Sequence, residues 1–376
     1  MEEISLKTIL ITGAAGFIGK NLLWTLQNDK EIEILTFDLA DTQEKLEEYI
    51  EKADFVFHLA GINRPDKTED FYNGNSYFTK NLLNLMSKSG KKASLLISSS
   101  IQATLDNDYG KSKKIAEDAV FNWGKETGNN VYIFRLPNVF GKWCRPNYNS
   151  VVATYCYNIA RNLPIMVNNP DAMLSLVYID DVIQAFLNAM DGNCLIDEEG
   201  YCKIQRVFDL SLQELSDRIK FIHDSRLQLV VTNYEDIFNK FLYATYTSYL
   251  PENEFGYDLE MKHDDRGWLA EFIKSSQFGQ VFVSKTKPGI TRGNHWHHTK
   301  VEKFLVVQGC ATIFFRKIDS DNIIEYKVSG DKLRVLDIPA GYTHSITNTG
   351  TDEVITLFWS DERFNPQSPD TYYMEV

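Results

Sequence analysis

The chain has 376 residues, with 52 acidic against 39 basic side chains and a formal net charge of −13. That length exceeds one ordinary core and suits two domains, and so acidic a surface repels nucleic acid and anionic membrane, so neither is expected as a partner. No run of 18 apolar residues is present to insert in a membrane, and the acidic start Met1–Ser5 lacks the basic, then apolar, pattern of a signal peptide, so a cytoplasmic protein is expected. The five cysteines show no C-x-x-C spacing, which reads as reduced thiols.

In chain order, Thr8–Thr12 is a short apolar strand that ends in glycines, and Asn21–Gln27 has helical spacing. Glu31–Asp38 is β-rich, Asp54–Ala60 is a third strand, and Ser94–Ser98 and Val131–Leu136 supply two more, with helix patterns over Glu69–Lys88 and Tyr109–Trp123. Apolar strands alternating with helices predict a Rossmann-type α/β fold, a doubly wound parallel sheet covered on both faces. Beyond Lys240–Tyr257 the helix signals fade. Short β-rich runs follow at Gln280–Lys285, Lys303–Val307, Ala311–Phe315, Ile323–Val328, Arg334–Ile338 and Val354–Trp359. Turns rich in Gly, Asp and Asn separate them, the pattern of an all-β barrel or jelly roll. The predicted domains are therefore 1–250 and 251–376.

Gly13-Ala14-Ala15-Gly16-Phe17-Ile18-Gly19 follows the first strand and opens a helix. Glycines there let backbone approach a pyrophosphate, and the helix N-terminus offers it free N–H groups, so a dinucleotide site is predicted. Asp38 ends the second strand, where a carboxylate accepts from ribose hydroxyls and repels a 2′-phosphate, favouring NAD(H) over NADP(H). His58-Leu59-Ala60-Gly61 closes the third strand beneath the cofactor, with His58 read as a packed histidine rather than a catalyst. Tyr109 and Lys113 are spaced i, i+4, one helix face. The lysine charge is expected to lower the tyrosine pKa and to hold a nicotinamide ribose, so that Tyr109 can protonate a carbonyl oxygen as hydride arrives. A serine of Ser98-Ser99-Ser100 would hold the substrate oxygen.

Four of the seven histidines fall in two segments of the second half. His295 and His297, at i, i+2, point to one face of a strand. Glu302 lies on the next turn or strand, and His344 on a later hairpin offers a third imidazole. Three neutral imidazoles and a carboxylate suit Zn²⁺, Fe²⁺, Mn²⁺ or Ni²⁺.

The glycine run, His58–Gly61, Ser98–Ser100, Tyr109-x-x-x-Lys113, Arg135–Gly141 and Val177–Val182 together resemble the extended short-chain dehydrogenase/reductases that act on nucleotide sugars. The resemblance implies Tyr109, Lys113 and Ser100 as catalytic residues. It implies Gly13, Gly16, Phe17, Ile18, Gly19, Asp38, Leu59, Ala60, Gly61 and Lys113 at the cofactor, and Asn138 at the substrate. Ser100 precedes Tyr109 by nine residues, closer than in many such relatives. The two histidine segments resemble the two motifs of the cupin superfamily, which implies His295, His297, Glu302 and His344 as metal ligands. His298 is outside that ligand set; a role behind the ligands and toward the substrate, a proton shuttle, and an exposed residue without a role are its alternatives. Asp264-x-Arg266-Gly267-x-x-x-Glu271 resembles a segment of the epimerases of 4-keto-deoxysugars, in which the arginine and glutamate hold substrate; a structural ion pair of Arg266 with a nearby carboxylate is the alternative.

The whole chain, with Lys142–Ser150, Gly293–Lys300 and Pro369–Val376, resembles the bifunctional enzymes of capsular polysaccharide synthesis that fuse such a reductase to a cupin. This resemblance implies C3 epimerisation and then C4 reduction of a UDP-2-acetamido-2,6-dideoxy-4-hexulose, giving the L-talose compound on the route to N-acetyl-L-fucosamine. It also implies NADPH, zinc and a homodimer, and Asp38 conflicts with the NADPH. The alternatives are an epimerase or dehydratase holding NAD⁺ tightly beside a structural cupin, a non-enzymatic nucleotide or sugar sensor, and a metal oxygenase.

Overall fold

In the computed structural model residues 6–27 and 29–376 are described, and Met1–Ser5 lie outside them. The chain forms two compact units: residues up to Ile219 together with Phe241–Leu250, and Lys220–Lys240 together with Pro251–Val376. No helix among the described residues is long and apolar enough to cross a membrane.

The first unit is laid down as β1 (Lys7–Thr12), α1 (Phe17–Leu26), β2 (Ile32–Phe37), α2 (Gln43–Lys52), β3 (Phe55–His58), α3 (Glu69–Phe71), α4 (Phe78–Ser89), β4 (Ser94–Ser100), α5 (Asp108–Thr127) and β5 (Val131–Leu136). Among the described residues these five strands make one sheet in the order β2-β1-β3-β4-β5, all parallel. Alternate residues of a strand face opposite ways, so a sheet this apolar must be covered twice. On one side Leu10, Val56, Leu95 and Ile133 pack with Leu46, Leu82, Met86 and Val120 of the helices α2, α4 and α5. On the other, Phe57 and Phe134 pack against Phe186. Phe186 belongs to a helix that follows β6 (Asn138–Phe140), α6 (Val151–Ile159) and β7 (Met173–Tyr178), namely α7 (Ile179–Met190). β6, β7 and β8 (Phe208–Ser211) form a separate small sheet. The expected doubly covered parallel sheet is thus present. Helix α8 (Leu212–Leu227) begins in the first unit and ends in the second.

The second unit consists of antiparallel sheets. β9 (Met261–Asp264), β10 (Gly267–Ser275), β11 (Gly279–Thr286), β12 (Thr291–Trp296), β13 (Glu302–Gln308), β14 (Cys310–Lys317), β15 (Ile323–Ser329), β16 (Val335–Ile338), β17 (Tyr342–Asn348), β18 (Val354–Ser360) and β19 (Tyr372–Tyr373) follow in turn. They pair as β16-β13-β18-β11-β10-β9 and β15-β14-β17-β12-β19. Both sheets contribute to one core that includes Phe304, Leu336 and Phe358 from the first and Ile313, Val328 and Ile346 from the second. Residues 220–240 join this unit through backbone: Lys274 N–H donates to Leu229 O at 2.6 Å, and Val231 N–H to Lys274 O at 2.9 Å.

Two features depart from the sequence reading. The helix expected over Glu69–Lys88 is interrupted by a π-helical turn at Tyr72–Tyr77, which places Asn75 to bracket Ile62 from both sides, accepting its N–H and donating to its C=O at 3.0 Å each. And β9, β10, β12, β17 and β19 lie outside the β-rich runs. The Gly, His and Asn content of β12 and the His and Asn of β17 lower local β-propensity, and pairing with neighbouring strands decides them. Leu10 is fully buried on β1, flanked by β2 and β3 and in the core shared with α2, α4 and α5; Leu10→Ala should lower unfolding free energy by about 2–5 kcal/mol, read from the midpoint of urea denaturation, and a loss under about 1 kcal/mol would contradict this packing.

Candidate functional site

The glycine turn sits where β1 meets α1. A Cβ on Gly19 would lie 2.2 Å from Gly13 O, so the helix touches the strand end only because that side chain is missing. No side chain among the described residues caps α1, and no acidic residue stands in its first turn. Its N–H groups therefore face a cavity of about 690 Å³, with Gly13, Gly16, Phe17, Ile18 and Gly19 in its wall. Leu59 and Gly61 line it too, while Ala60 sits between them in the same loop. Asp38 accepts the Ala15 N–H with both carboxylate oxygens, at 3.2 and 3.1 Å. Burial pushes its carboxyl up, and the Ala15 N–H opposes that. His58 is enclosed between Thr12 Oγ1 at 2.7 Å and Thr79 Oγ1 at 2.8 Å, and burial pushes its pKa down to about 3, so it stays neutral.

Helix α5 starts at an Asn107 cap, whose side chain accepts the Gly110 N–H at 2.8 Å. Tyr109 then faces the same cavity as Ser100 and Lys113. The Lys113 Nζ lies 6.0 Å from the Tyr109 ring centre and donates to Ser98 O at 3.2 Å. The expected lowering of the tyrosine pKa is not what this arrangement produces. Burial raises Tyr109, with only the Ser100 hydroxyl pulling it down, because the ammonium points at the strand-end carbonyl and not at the phenol. Lys113 is itself pushed down to about 8 by burial, against the pull of Glu117. Asn138 is exposed on the rim and donates to Ser175 O at 3.4 Å.

Glu117 was not singled out from sequence, although it lies one turn past Lys113 on the same face. Its buried carboxylate accepts from Ser99 Oγ at 2.6 Å, from Arg135 at 3.0 and 2.7 Å, and from Tyr201 OH at 3.0 Å. The Arg135 guanidinium stacks 3.7 Å over the Tyr201 ring. The network ties α5 to β4 and β5 directly behind the Ser98 carbonyl. Tyr201, distant in sequence, carries no signal that spacing could reveal. Arg145 and Tyr148 also line the cavity, from the Lys142–Ser150 segment.

The second unit holds a separate cluster. His295 on β12 pairs in register with His344 on β17, across a bulge between Gly293 and His295. The bulge turns His295 toward its partner, and it needs Gly293, where a Cβ would lie 2.7 Å from His344 O. His297 stands just past the end of β12 and Glu302 at the start of β13. One ligand atom from each of His295, His297, Glu302 and His344 lies within 4.8 Å of all the others. His297 and His344 are fully buried, and their Nε2 atoms have no hydrogen-bond partner among the described residues. Each faces Glu302 Oε2, at 3.4 and 3.5 Å. Burial and the neighbouring imidazoles push His295 down to about 4. Buried lone pairs converging on a carboxylate oxygen are unfavourable unless a cation sits among them, so the donor set fits a divalent metal ion.

The remaining candidates lie elsewhere. Arg266 forks onto Asp264 at 2.6 and 2.9 Å, the ion-pair alternative, and Glu271 pairs with Lys274 at 2.8 Å. His298 packs edge-on against Trp296 and Tyr372, at 4.4 and 4.9 Å between ring centres. All five cysteines are free.

Residues 9–196 match the NAD dependent epimerase/dehydratase family, and residues 262–372 match the polysaccharide biosynthesis C-terminal domain. A Pseudomonas aeruginosa UDP-2-acetamido-2,6-beta-L-arabino-hexul-4-ose reductase is 43% identical over 98% of both chains. The crystal structure of the capsular polysaccharide assembling protein CapF from Staphylococcus aureus superposes with a TM-score of 0.92 at 48% identity, covering 98% of this chain and 100% of that one. A structure of CapF with the inhibitor 3-isopropenyl-tropolone superposes with a TM-score of 0.88 at 44% identity, over 98% of this chain and 100% of that chain. The chain belongs to the NAD dependent epimerase/dehydratase family and, within it, to the CapF-type enzymes of capsular polysaccharide synthesis. It is an enzyme that combines nucleotide-sugar epimerase and reductase activity and binds NAD(P)H.

The purified protein should retain about one transition-metal ion per chain after dialysis against a weak chelator, as measured by elemental analysis. His344→Ala should retain almost none; full retention in that variant would rule out this ligand set.

Proposed function

We propose that the first unit reduces the C4 ketone of a UDP-linked 2-acetamido-2,6-dideoxy-4-hexulose and that the second inverts its C3. The observation that supports the reading is that one chain gathers two separate residue groups: a Tyr109–Lys113 pair opening on the cavity beneath the glycine turn, and the half-buried His295 with the buried His297, Glu302 and His344. The assignment divides the chain at residue 250, with the reductase in 1–250 and a closed cupin barrel in 251–376.

Bound at the glycine turn, NAD(P)H would supply hydride to C4, and a metal ion in the imidazole cluster would polarise the C4 carbonyl and acidify the C3 proton. The chain's own groups do the rest. The uncapped N-terminus of α1 receives the pyrophosphate, with Gly13, Gly16, Phe17, Ile18 and Gly19 around it. Leu59, Ala60 and Gly61, in the loop after β3, would support the nicotinamide half. Tyr109 gives its phenolic proton to the C4 oxygen, Ser100 holds that oxygen and is the group that favours the phenolate left behind, and Lys113 holds the ribose. A tyrosine raised by burial is fully protonated at neutral pH, the state a proton donor requires. Asn138, Arg266, Glu271 and His298 are assigned to the sugar nucleotide. A product with inverted C3 and a C4 hydroxyl is the L-talose compound, a precursor of N-acetyl-L-fucosamine. Zinc in the cluster, NADPH as reductant and a homodimer are carried by the family resemblance. Asp38 opposes a 2′-phosphate, so the ratio of kcat/KM for NADPH and NADH decides the reductant.

Asp38 also favours a second reading, in which NAD⁺ stays bound through an internal oxidation and return of hydride. Incubation with the 4-keto sugar in D₂O, followed by NMR, separates the two. The proposed route incorporates deuterium at C3 without reductant and forms the reduced sugar only when NADPH or NADH is added. Tyr109→Phe should cut reduction by about 10²–10⁴-fold and leave C3 exchange intact, and His295→Ala should abolish exchange; loss of both activities in each folded variant would defeat the separate-site reading.

Lys113 gives the reduction a pH dependence. Its charged form is present below about pH 8 and is lost as pH rises through that value. The log of kcat/KM for reduction should therefore bend downward on the alkaline side near pH 8. Glu117 holds the lysine up, so Glu117→Gln should move the bend to lower pH; an unmoved bend would show that the carboxylate does not act on Lys113.

A further inference from the structure

The C-terminal Pro369–Val376 is distinctive in sequence, and neither site's chemistry accounts for it. In the fold it runs back across the imidazole cluster. The Asp370 carboxylate accepts three successive backbone N–H groups, from His298, Thr299 and Lys300, at 2.8, 2.8 and 2.9 Å, and the Thr299 hydroxyl at 3.0 Å. The carbonyl of the same residue lies 2.5 Å from His297 Nδ1. A carbonyl can only accept, so Nδ1 carries the proton and Nε2 is left with its lone pair directed into the cluster.

The contacts continue along the tail. Lys300 Nζ donates to Thr371 Oγ1 at 3.1 Å. β19 pairs with β12, Tyr373 opposite His295 and Tyr372 opposite Trp296. Met374 N–H donates to Asn294 O at 3.0 Å, and the Thr343 hydroxyl donates to the Met374 carbonyl. Each of the three histidines, or the residue just before it, is thus touched by the segment Asp370–Met374.

We propose that this segment is a strap that builds the metal site, with Asp370 as its positioning residue: its carboxylate folds the 298–300 turn and its carbonyl fixes the His297 ring. The proposal rests on the reading that His295, His297, Glu302 and His344 bind a metal ion. Without the strap, the turn between His297 and Glu302 would have to be ordered at the moment the ion binds, at a cost in chain entropy. A carboxylate suits the task because three converging N–H groups form an anion nest. An asparagine there presents one oxygen in place of two and turns its own N–H groups toward donors. Partners that orient a ligating histidine in this way typically change metal affinity by about 10–100-fold when lost.

The test is zinc affinity of the full-length protein, by competition with a chromophoric chelator, for the wild type, Asp370→Asn, Asp370→Ala, Asp370→Glu and, as a substitution outside the nest, Glu375→Gln. Thermal unfolding of each metal-free protein is followed in parallel, and the cobalt(II) absorption spectrum reports ligand geometry. Asn and Ala should weaken zinc binding by about 10–100-fold, Asp370→Glu should restore part of the loss, and Glu375→Gln should bind as the wild type. Failure of the wild type to bind zinc would remove the ligand-set reading and the proposal with it. Wild-type binding with undiminished affinity and an unaltered cobalt spectrum in Asp370→Asn would overturn the strap alone. A lowered unfolding temperature in the Asp370 variants with affinity unchanged in the folded protein would likewise overturn it, since that is what a purely structural contact does.

Discussion

Both sites rest on backbone crossing backbone more closely than a side chain allows. At Gly19 the α1 helix meets the carbonyl of Gly13, where a Cβ would sit at 2.2 Å, and at Gly293 strand β12 meets the carbonyl of His344, where a Cβ would sit at 2.7 Å. The first contact delivers the free N–H groups of a helix to the end of a parallel strand, which is what an anionic cofactor needs. The second lets two antiparallel strands stay paired through a bulge, so that His295 and His344 lie opposite each other. In each unit the functional side chains are arranged around that contact, and the surrounding sheet holds it in place.

Burial then treats the polar groups of the two sites differently. Glu117 is enclosed, yet its oxygens are shared among Ser99, Arg135 and Tyr201, so the charge is compensated within the protein. Such a network holds geometry. The imidazoles of His297 and His344 are equally buried, but the nitrogens they turn inward have no partner among the described residues. A buried lone pair without a donor is unfavourable, and a cation among these nitrogens would relieve it. The contrast separates a structural ion pair from a ligand set without appeal to residue type alone.

Much of this was legible in the chain. The glycine turn, the Tyr109–Lys113 spacing and the two histidine segments are local patterns, and the structure gathers each as a unit. The helix over Glu69–Lys88 was legible only in outline, since the π-helical turn at Tyr72–Tyr77 is tied to the bracketing of Ile62 by Asn75, a contact across the fold. The strand carrying His295 was legible from the i, i+2 spacing and the hairpin of His344 from its turn, but not that β12 ends at Trp296 and leaves His297 just beyond it. The relation of Tyr109 to Lys113 also escaped the sequence. Spacing puts both on one helix face, but the Ser98 carbonyl, on a strand, decides where the ammonium points.

The sequence by itself determined the two chemistries: a dinucleotide turn with a Tyr–Lys pair, and three histidines with a carboxylate. These depend on residue type and short spacing, which helix and strand periodicity convert directly into shared faces. Only the tertiary structure decided what surrounds them. Glu117 meets Tyr201, residues 220–240 join the sheet edge at Lys274, and Asp370 closes over His297, each across a separation that no local period encodes. Those contacts arise because buried polar groups must find partners wherever the packed chain places them.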